Sequence, residues 1–319
     1  MDERVHQRKT RRRRRWRVAA LVGGGLTVAL GALAYPYQRQ IWSYLTHWKG
    51  SPTSTEPYVA SPADERPELR IAVAGDVGDS GSRIRETGAA VSRLSGDDPW
   101  NVLLLLGDNV YPAGDPDGLD ATVFEPFGPV LDGGAELLAI LGNHDVKGDR
   151  VDEMQRRLGM PGRWWSRTIG DLLVVGLDSN EPDNPEQRAF LERTLRASDA
   201  RWRVVALHHP PFSAGYQGSD RDARDAFVPL FERYGVQLVL SGHEHDYQRS
   251  ERINGVTYVV SGGASGTRRT GEADFTAVSF SWHHFVELDV FPDRLVGRAV
   301  NQERRVADRW TIPFSPSEP

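Results

Sequence analysis

Asp108 and Tyr111 stand just past the apolar run 103–106 and Gly107. Four leucines in a row suit a strand buried on both faces of a sheet. A carboxylate beside them is costly to desolvate unless a cation or a donor meets it. If 108–111 forms one helical turn, the carboxylate and the phenol face the same side, which makes half of a metal site. Taken alone, the stretch also reads as a strand end with a turn Asp and a packed Tyr. Four more apolar runs end in the same manner, at Gly75-Asp76, Gly142-Asn143, Leu207-His208 and Gly242-His243, and His245 follows the last of them. In α/β sheets ligands bind beyond the carboxyl ends of strands. Glycine there lets the backbone turn sharply and leaves room. Each strand end is a weak signal by itself. Together, and in this order, they predict a single metal site. The chain has no cysteine, so thiolate ligands and disulfides are excluded and the donors must be oxygen and imidazole.

The elements that must carry these residues follow from periodicity and length. Strands are expected at 69–74, 102–106, 137–141, 202–207, 236–240, 257–260, 285–290 and 295–300. Residues 164–169 and 172–177 read as a hairpin through Gly170-Asp171. Helices are expected at 82–94, 151–158, 185–197 and 220–234, and at 119–131 with interruptions at Pro126 and Pro129. This mixture of strands and helices is α/β.

Charge is unevenly distributed. Residues 1–17 hold nine of the 39 basic side chains and two of the 44 acidic ones, so the remainder carries 30 against 42. A body that acidic is a poor general binder of nucleic acid, and no nucleic-acid partner is expected. The stretch 18–37 has no charge and is close to a minimal membrane span. With arginines before it, the positive-inside rule puts a basic cytoplasmic segment at 1–17. An anchor at 18–37 would then leave the rest of the chain outside the cell membrane. Ala32-Leu33-Ala34 also fits a signal-peptidase site, which would make the protein secreted. A buried soluble helix is the remaining reading. Trp42, Tyr44 and Trp48 suit a membrane interface. Residues 38–67 are read as a linker, whose Ser-, Pro-, Thr- and Glu-rich part from 49 has no means of burying a core. The folded domain is placed at 68–313.

Block by block, the strand ends resemble the metallophosphoesterase (calcineurin-like) superfamily. The matching residues are Gly75-Asp76-Val77-Gly78, Gly107-Asp108-Asn109-Val110-Tyr111, Gly142-Asn143-His144-Asp145, Val205-Ala206-Leu207-His208 and Gly242-His243-Glu244-His245. The resemblance covers roughly residues 68–300. Tyr111 makes the chain most similar to the purple acid phosphatases, in particular their small tartrate-resistant type. The resemblance implies a four-layer α-β-β-α sandwich and two metal ions bridged by Asp108. One ion would take Asp76, Asp108, Tyr111 and His245, and the other Asp108, Asn143, His208 and His243. It also implies iron at the Tyr111 site and iron, zinc or manganese at the second. Two neighbouring cations need a shared anion, which a bridging carboxylate supplies. A tyrosinate must lose a proton whose ordinary pKa is about 10, and trivalent iron favours that loss. The metals would polarise phosphoryl oxygens and supply a hydroxide for in-line attack.

His144 is implied as a group that contacts the phosphate or protonates the leaving oxygen, against the alternative of a structural histidine. Asp145 is expected to orient the loop. His209 is not placed, because a strand apolar throughout gives no alternation to read. A further histidine common in the small purple phosphatases is missing, and Gln217, which cannot act as an acid, falls near its place. His283 and His284 are expected to be structural or exposed, and Trp164, Trp165 and Trp202 to be packing. Arg249 reads equally as an anion contact or an ion pair. The expected function is hydrolysis of small phosphate monoesters by a monomer. A metal-dependent phosphodiesterase on the same scaffold is the alternative, and a non-catalytic surface binding protein is a third reading.

Overall fold

The apolar runs become the central strands of two sheets. The computed structural model describes residues 48–61, 65–96 and 98–315. In chain order the strands are β1 (Glu56–Pro57), β2 (Leu69–Ala74), β3 (Val102–Leu105), β4 (Glu136–Ala139), β5 (Trp165–Ile169), β6 (Leu172–Gly176) and β7 (Trp202–Ala206). They continue as β8 (Leu238–Ser241), β9 (Tyr247–Ser250), β10 (Thr257–Ser261), β11 (Thr276–Phe280), β12 (His284–Val290), β13 (Arg294–Asn301) and β14 (Arg305–Pro313). The helices are α1 (Ser82–Ser95), α2 (Glu125–Asp132), α3 (Val151–Arg157), α4 (Pro185–Ala197) and α5 (Arg221–Arg233). One seven-stranded sheet has the order β1-β14-β13-β12-β2-β3-β4, and the other β11-β9-β10-β8-β7-β6-β5.

Within each sheet the site-bearing strands run parallel and end level. Ala74 pairs with Leu105 and Leu105 with Ala139 in the first sheet. Gly176 pairs with Ala206 and Ala206 with Leu240 in the second. The alternation that the sequence hides is present in space. Leu172, Val174, Val204, Ala206, Leu238 and Leu240 face the first sheet, while Leu173, Val175, Val205 and Val239 pack with Leu191, Leu195, Phe227 and Phe231 of α4 and α5. On the first sheet, Ile84, Ala90, Val91 and Leu94 of α1 and Phe127 and Val130 of α2 enter the core. The result is the four-layer α-β-β-α arrangement. Asn184 caps α4 by accepting from the amides of Glu186 and Gln187, and Asp220 caps α5 by accepting from Ala223.

Several expectations change. The interrupted helix at 119–131 is a π turn over Asp120–Phe124 followed by α2. Strands β1, β9, β11 and β14 carried no clear apolar run, and partners rather than propensity hold them. The stretch from residue 49, expected as a linker unable to bury anything, is extended but docked. Lys49 exchanges backbone hydrogen bonds with Thr270, and Arg305 donates to the carbonyl of Thr55 at 2.7 Å. The Tyr58 hydroxyl donates to Glu287 at 2.9 Å. Glu287 belongs to a buried quartet with Asp289, Arg70 and Arg298, in which alternate acids on β12 meet arginines from β2 and β13. Trp48, expected at a membrane interface, lies under the Arg269 guanidinium at 4.0 Å.

Single-pass membrane placement is corrected: among the described residues no helix is long and apolar enough to cross a membrane. Residues 1–17 and 18–37, on which that placement rested, and Trp42 and Tyr44 lie outside the described residues.

Arg249 is an ion-pair residue. Its guanidinium donates to both oxygens of Asp308 at 2.7 and 3.1 Å, and Asp308 also accepts from the Tyr247 hydroxyl at 2.7 Å. Tyr247 and Arg249 lie on β9 and Asp308 on β14, so this cluster ties the two sheets together. Removing the acid strands a partly buried guanidinium and a buried phenol. Asp308→Ala should therefore lower unfolding free energy by about 3 kcal/mol in urea titration, with metal content unchanged. A loss within error would show that the cross-sheet pair contributes nothing.

Candidate metal centre

Each strand end carries its polar residue into a tight turn. Asp76, Asp108 and His243 have φ of 58°, 52° and 69°, a left-handed conformation rare for side-chain-bearing residues. Such strain persists only where surrounding bonds over-determine it. Here the bonds are visible. Asp76 Oδ2 accepts from the His243 amide at 2.8 Å, and Asp108 Oδ1 accepts from the His144 amide at 2.8 Å. Gly107 (φ 85°) permits the approach of the neighbouring loop: a Cβ there would lie 2.7 Å from both the Gly142 nitrogen and His208 Nδ1.

The residues singled out from sequence come together in two groups. In one, the Tyr111 hydroxyl lies 3.0 Å from Asp76 Oδ1 and 2.9 Å from His245 Nε2, and His245 Nε2 is 3.3 Å from Asp76 Oδ1. In the other, Asn143 Oδ1 lies 3.1 Å from His208 Nε2 and 2.9 Å from His243 Nδ1, and the two ring nitrogens are 3.3 Å apart. Asp108 Oδ1 is 3.4 Å from His208 Nε2, and Asp76, Asp108 and His208 together present ligand atoms that could hold a metal ion.

The donor chemistry fits a cation. His208 Nδ1–H donates to the Leu106 carbonyl at 2.8 Å, which leaves Nε2 as the lone-pair nitrogen of the neutral ring. That lone pair faces the lone pairs of Asn143 Oδ1 and Asp108 Oδ1 in a buried place. Acceptor facing acceptor is repulsive unless positive charge sits between them. In the protein alone a proton takes that position. Burial pushes His208 down, but the neighbouring Asp108 carboxylate outweighs it and lifts the imidazole to about 10. Asp108 itself is pushed up by burial and pulled down further by His208, ending below the usual carboxylate range. Burial, then His208, lowers His243 to about 2. Burial and the Asp76 and Asp108 carboxylates raise Tyr111 far above an ordinary phenol, so ionising it requires a cation.

Around these groups lie residues of other kinds. His144 is partly exposed, donates from Nδ1 to the Pro112 carbonyl at 2.6 Å and stands edge-on to Tyr111 with ring centroids 4.7 Å apart. Its Nε2 is 4.0 Å from Asp108 Oδ2. Lys147 Nζ lies 3.1 Å from both ring nitrogens of His144, a neighbour that the sequence did not signal. His209 lies beside His208 and His243, and its only cue was adjacency to His208. Glu244 and Asp246 alternate with the two histidines and turn away. Glu244 accepts from the amides of Gln217 and Gly218 at 2.5 and 2.7 Å, holding that loop, and Asp246 accepts from Gln248 at 2.9 Å. The Gln217 side chain is exposed. His284 is fully buried between Ser261 and the Trp282 carbonyl, a structural residue, and Trp165 and Trp202 are buried with their indole N–H groups bonded to carbonyls. Trp164 packs against the α4–α5 core.

Asp145, fully buried, orients two loops at once. It accepts from the Asn109 amide and side chain and the Gly142 amide at 2.8 Å each, and from the Val110 amide at 3.3 Å. Asp145→Ala leaves these donors unmet. It should cost roughly 3 kcal/mol of stability and reduce metal bound per chain, read by thermal melting and elemental analysis. Full metal content at unchanged melting temperature would refute that role.

Comparison with known proteins agrees with this geometry. The family model for calcineurin-like phosphoesterases matches residues 69–247. Tartrate-resistant acid phosphatase type 5 of Mus musculus is 28% identical over 194 residues, a match covering 50% of this chain and 59% of that protein. The chain spans less than two thirds of the first curated relatives it matches, down to 21% for an uncharacterised protein of Mycobacterium tuberculosis. Among solved structures, purple acid phosphatase PPD1 from yellow lupin (Lupinus luteus) seeds superposes with a TM-score of 0.68 at 17% identity, covering 78% of this chain and 54% of that one. GAP50, described as the anchor in the inner membrane complex of Plasmodium, gives 0.69 at 17% identity, covering 79% and 90%. These two likenesses concern the fold. With its family model matched over more than half of its length, the chain belongs to the calcineurin-like phosphoesterase family.

Proposed function

We propose that the protein is a dinuclear-metal hydrolase of small phosphate monoesters, of the purple acid phosphatase type. The observation that carries this reading is the Tyr111 hydroxyl, wedged between Asp76 Oδ1 and His245 Nε2. A partly buried phenol within hydrogen-bond distance of a carboxylate and an imidazole is suited to become a ligand. Asp76, Tyr111 and His245 would hold one ion, with iron the match for phenolate, carboxylate and imidazole. Asn143, His208 and His243 would hold a second, iron, zinc or manganese, and Asp108 would bridge. Bound cations supply charge that polarises a phosphoryl oxygen and lowers the pKa of a nucleophilic water.

The chain's own residues do the rest. Leu106 fixes the His208 tautomer, and Asp145 sets the loops that carry Asp108 and Asn143. His144 stands on the open side with Nδ1–H committed to Pro112 and Nε2 3.1 Å from Lys147 Nζ, so a substrate oxygen would meet the imidazole and the ammonium together. The partner is a small phosphorylated molecule that reaches these groups from the open side.

The test is an absorption spectrum with metal analysis on the purified protein. A visible band, about two metals per chain with iron among them, and loss of the band in Tyr111→Phe are expected. Colour surviving Tyr111→Phe overturns the tyrosinate assignment. A colourless protein that holds zinc or manganese and prefers diesters replaces the monoesterase with the phosphodiesterase. Removing the metals with chelator should lower the melting temperature, and metal at about a hundredfold over its Kd should restore roughly 2.7 kcal/mol.

A further inference from the structure

His209 borders the metal centre without a place in either group of ligands. One nitrogen from each of His208, His209 and His243 lies within 4.8 Å of the others. The His209 ring centroid is 5.1 Å from that of His208 and 4.5 Å from that of His243. By distance alone it would be a third imidazole for the second ion.

Its hydrogen bonds point elsewhere. The His209 backbone amide donates to the Ser179 hydroxyl oxygen at 2.9 Å, and the same oxygen lies 2.9 Å from His209 Nδ1. Ser179 is buried just past β6. A buried hydroxyl that accepts from an amide still has its own proton to place, and Nδ1 is the acceptor within reach. Ser179 therefore donates to Nδ1, and the ring proton resides on Nε2. A nitrogen bearing a proton has no lone pair for a cation. Among the described residues Nε2 has no protein partner, and the ring is not closed off from solvent.

We propose that His209 is a phosphate-binding residue: its Nε2–H donates to a phosphoryl oxygen of substrate or product lying against the Asn143, His208 and His243 group, and Ser179 is the positioning residue that fixes the tautomer. The inference rests on the hydrolase reading above and adds to it a protein donor for the non-bridging oxygens. No bond is made or broken by His209, which holds the same proton before and after turnover.

The experiment compares wild type, His209→Phe, His209→Gln and Ser179→Ala as metal-loaded proteins. Metals per chain are read by elemental analysis, affinity for inorganic phosphate by calorimetry, and KM and kcat on a phosphate monoester. His209→Phe should keep its metals and bind phosphate about tenfold to a hundredfold more weakly. His209→Gln, which offers an amide N–H near the Nε2 position, should recover part of that loss, and Ser179→Ala should lie between it and wild type. Loss of a metal in both His209→Phe and His209→Gln would overturn the proposal in favour of a third imidazole ligand. Unchanged phosphate affinity in His209→Phe would overturn it outright. Phosphate binding is measured independently of turnover, so wild type that binds phosphate but cleaves no ester refutes the hydrolase reading while the His209 comparison still decides this one.

Discussion

Lone pairs that face one another across a crevice are the constraint on which the site depends. His208 Nε2, Asn143 Oδ1 and Asp108 Oδ1 converge within 3.4 Å of the His208 nitrogen, and Asp76, Tyr111 and His245 converge beside them. Water cannot relieve this repulsion around a histidine with no exposed surface. Positive charge can, as a proton or as a metal ion, and the Asp108 carboxylate beside His208 favours it there. The two groups differ in what each adds: a phenol on one side, an amide oxygen and two imidazoles on the other.

Holding such groups together costs strain and desolvation, and the scaffold offsets both. Three site residues sit in left-handed turns. Each turn leaves a strand whose neighbours end at the same level, so small changes in register would scatter the ligands. Asp145 fastens the second and third turns to each other, and Glu244 fastens the fifth to the loop at 217–218. The Arg249–Asp308 pair and Tyr247 join the two sheets whose ends form the crevice. Even the segment from residue 48 takes part. Lys49 pairs with Thr270, and the same loop returns the Arg268 amide to the His245 carbonyl at 2.7 Å. A chain segment ahead of the domain thus lies one loop away from a site residue.

Much of this was legible in the amino-acid order. Runs of Val, Leu and Ile ending in Gly-Asp, Gly-Asn or Gly-His fixed the elements, their rank along the chain and the chemistry at their ends, because burial of both strand faces and the need for a tight turn are local demands. Helices α4 and α5 were legible for the same reason, having one apolar stripe and a capping Asn or Asp. Strands β9, β11 and β14 were not, since their stability comes from partners distant in sequence. The role of Arg249 was equally illegible: its acid lies on β14 of the other sheet, and no spacing announces it.

By itself, then, the sequence determined the α/β class, the family resemblance and the seven residues that converge. Those are properties of short windows, in which side-chain type and spacing suffice. Only the tertiary structure decided that His208 turns its Nε2 inward because Nδ1 is bonded to Leu106, that His144 commits Nδ1 to Pro112, and that His209 reaches the crevice with Ser179 behind it. A ring's orientation and tautomer are set by whichever carbonyl or hydroxyl stands behind it, and that neighbour lies 102 residues away for His208, 32 for His144 and 30 for His209. Hydrogen-bond partners at such separations exist only once the sheets are paired.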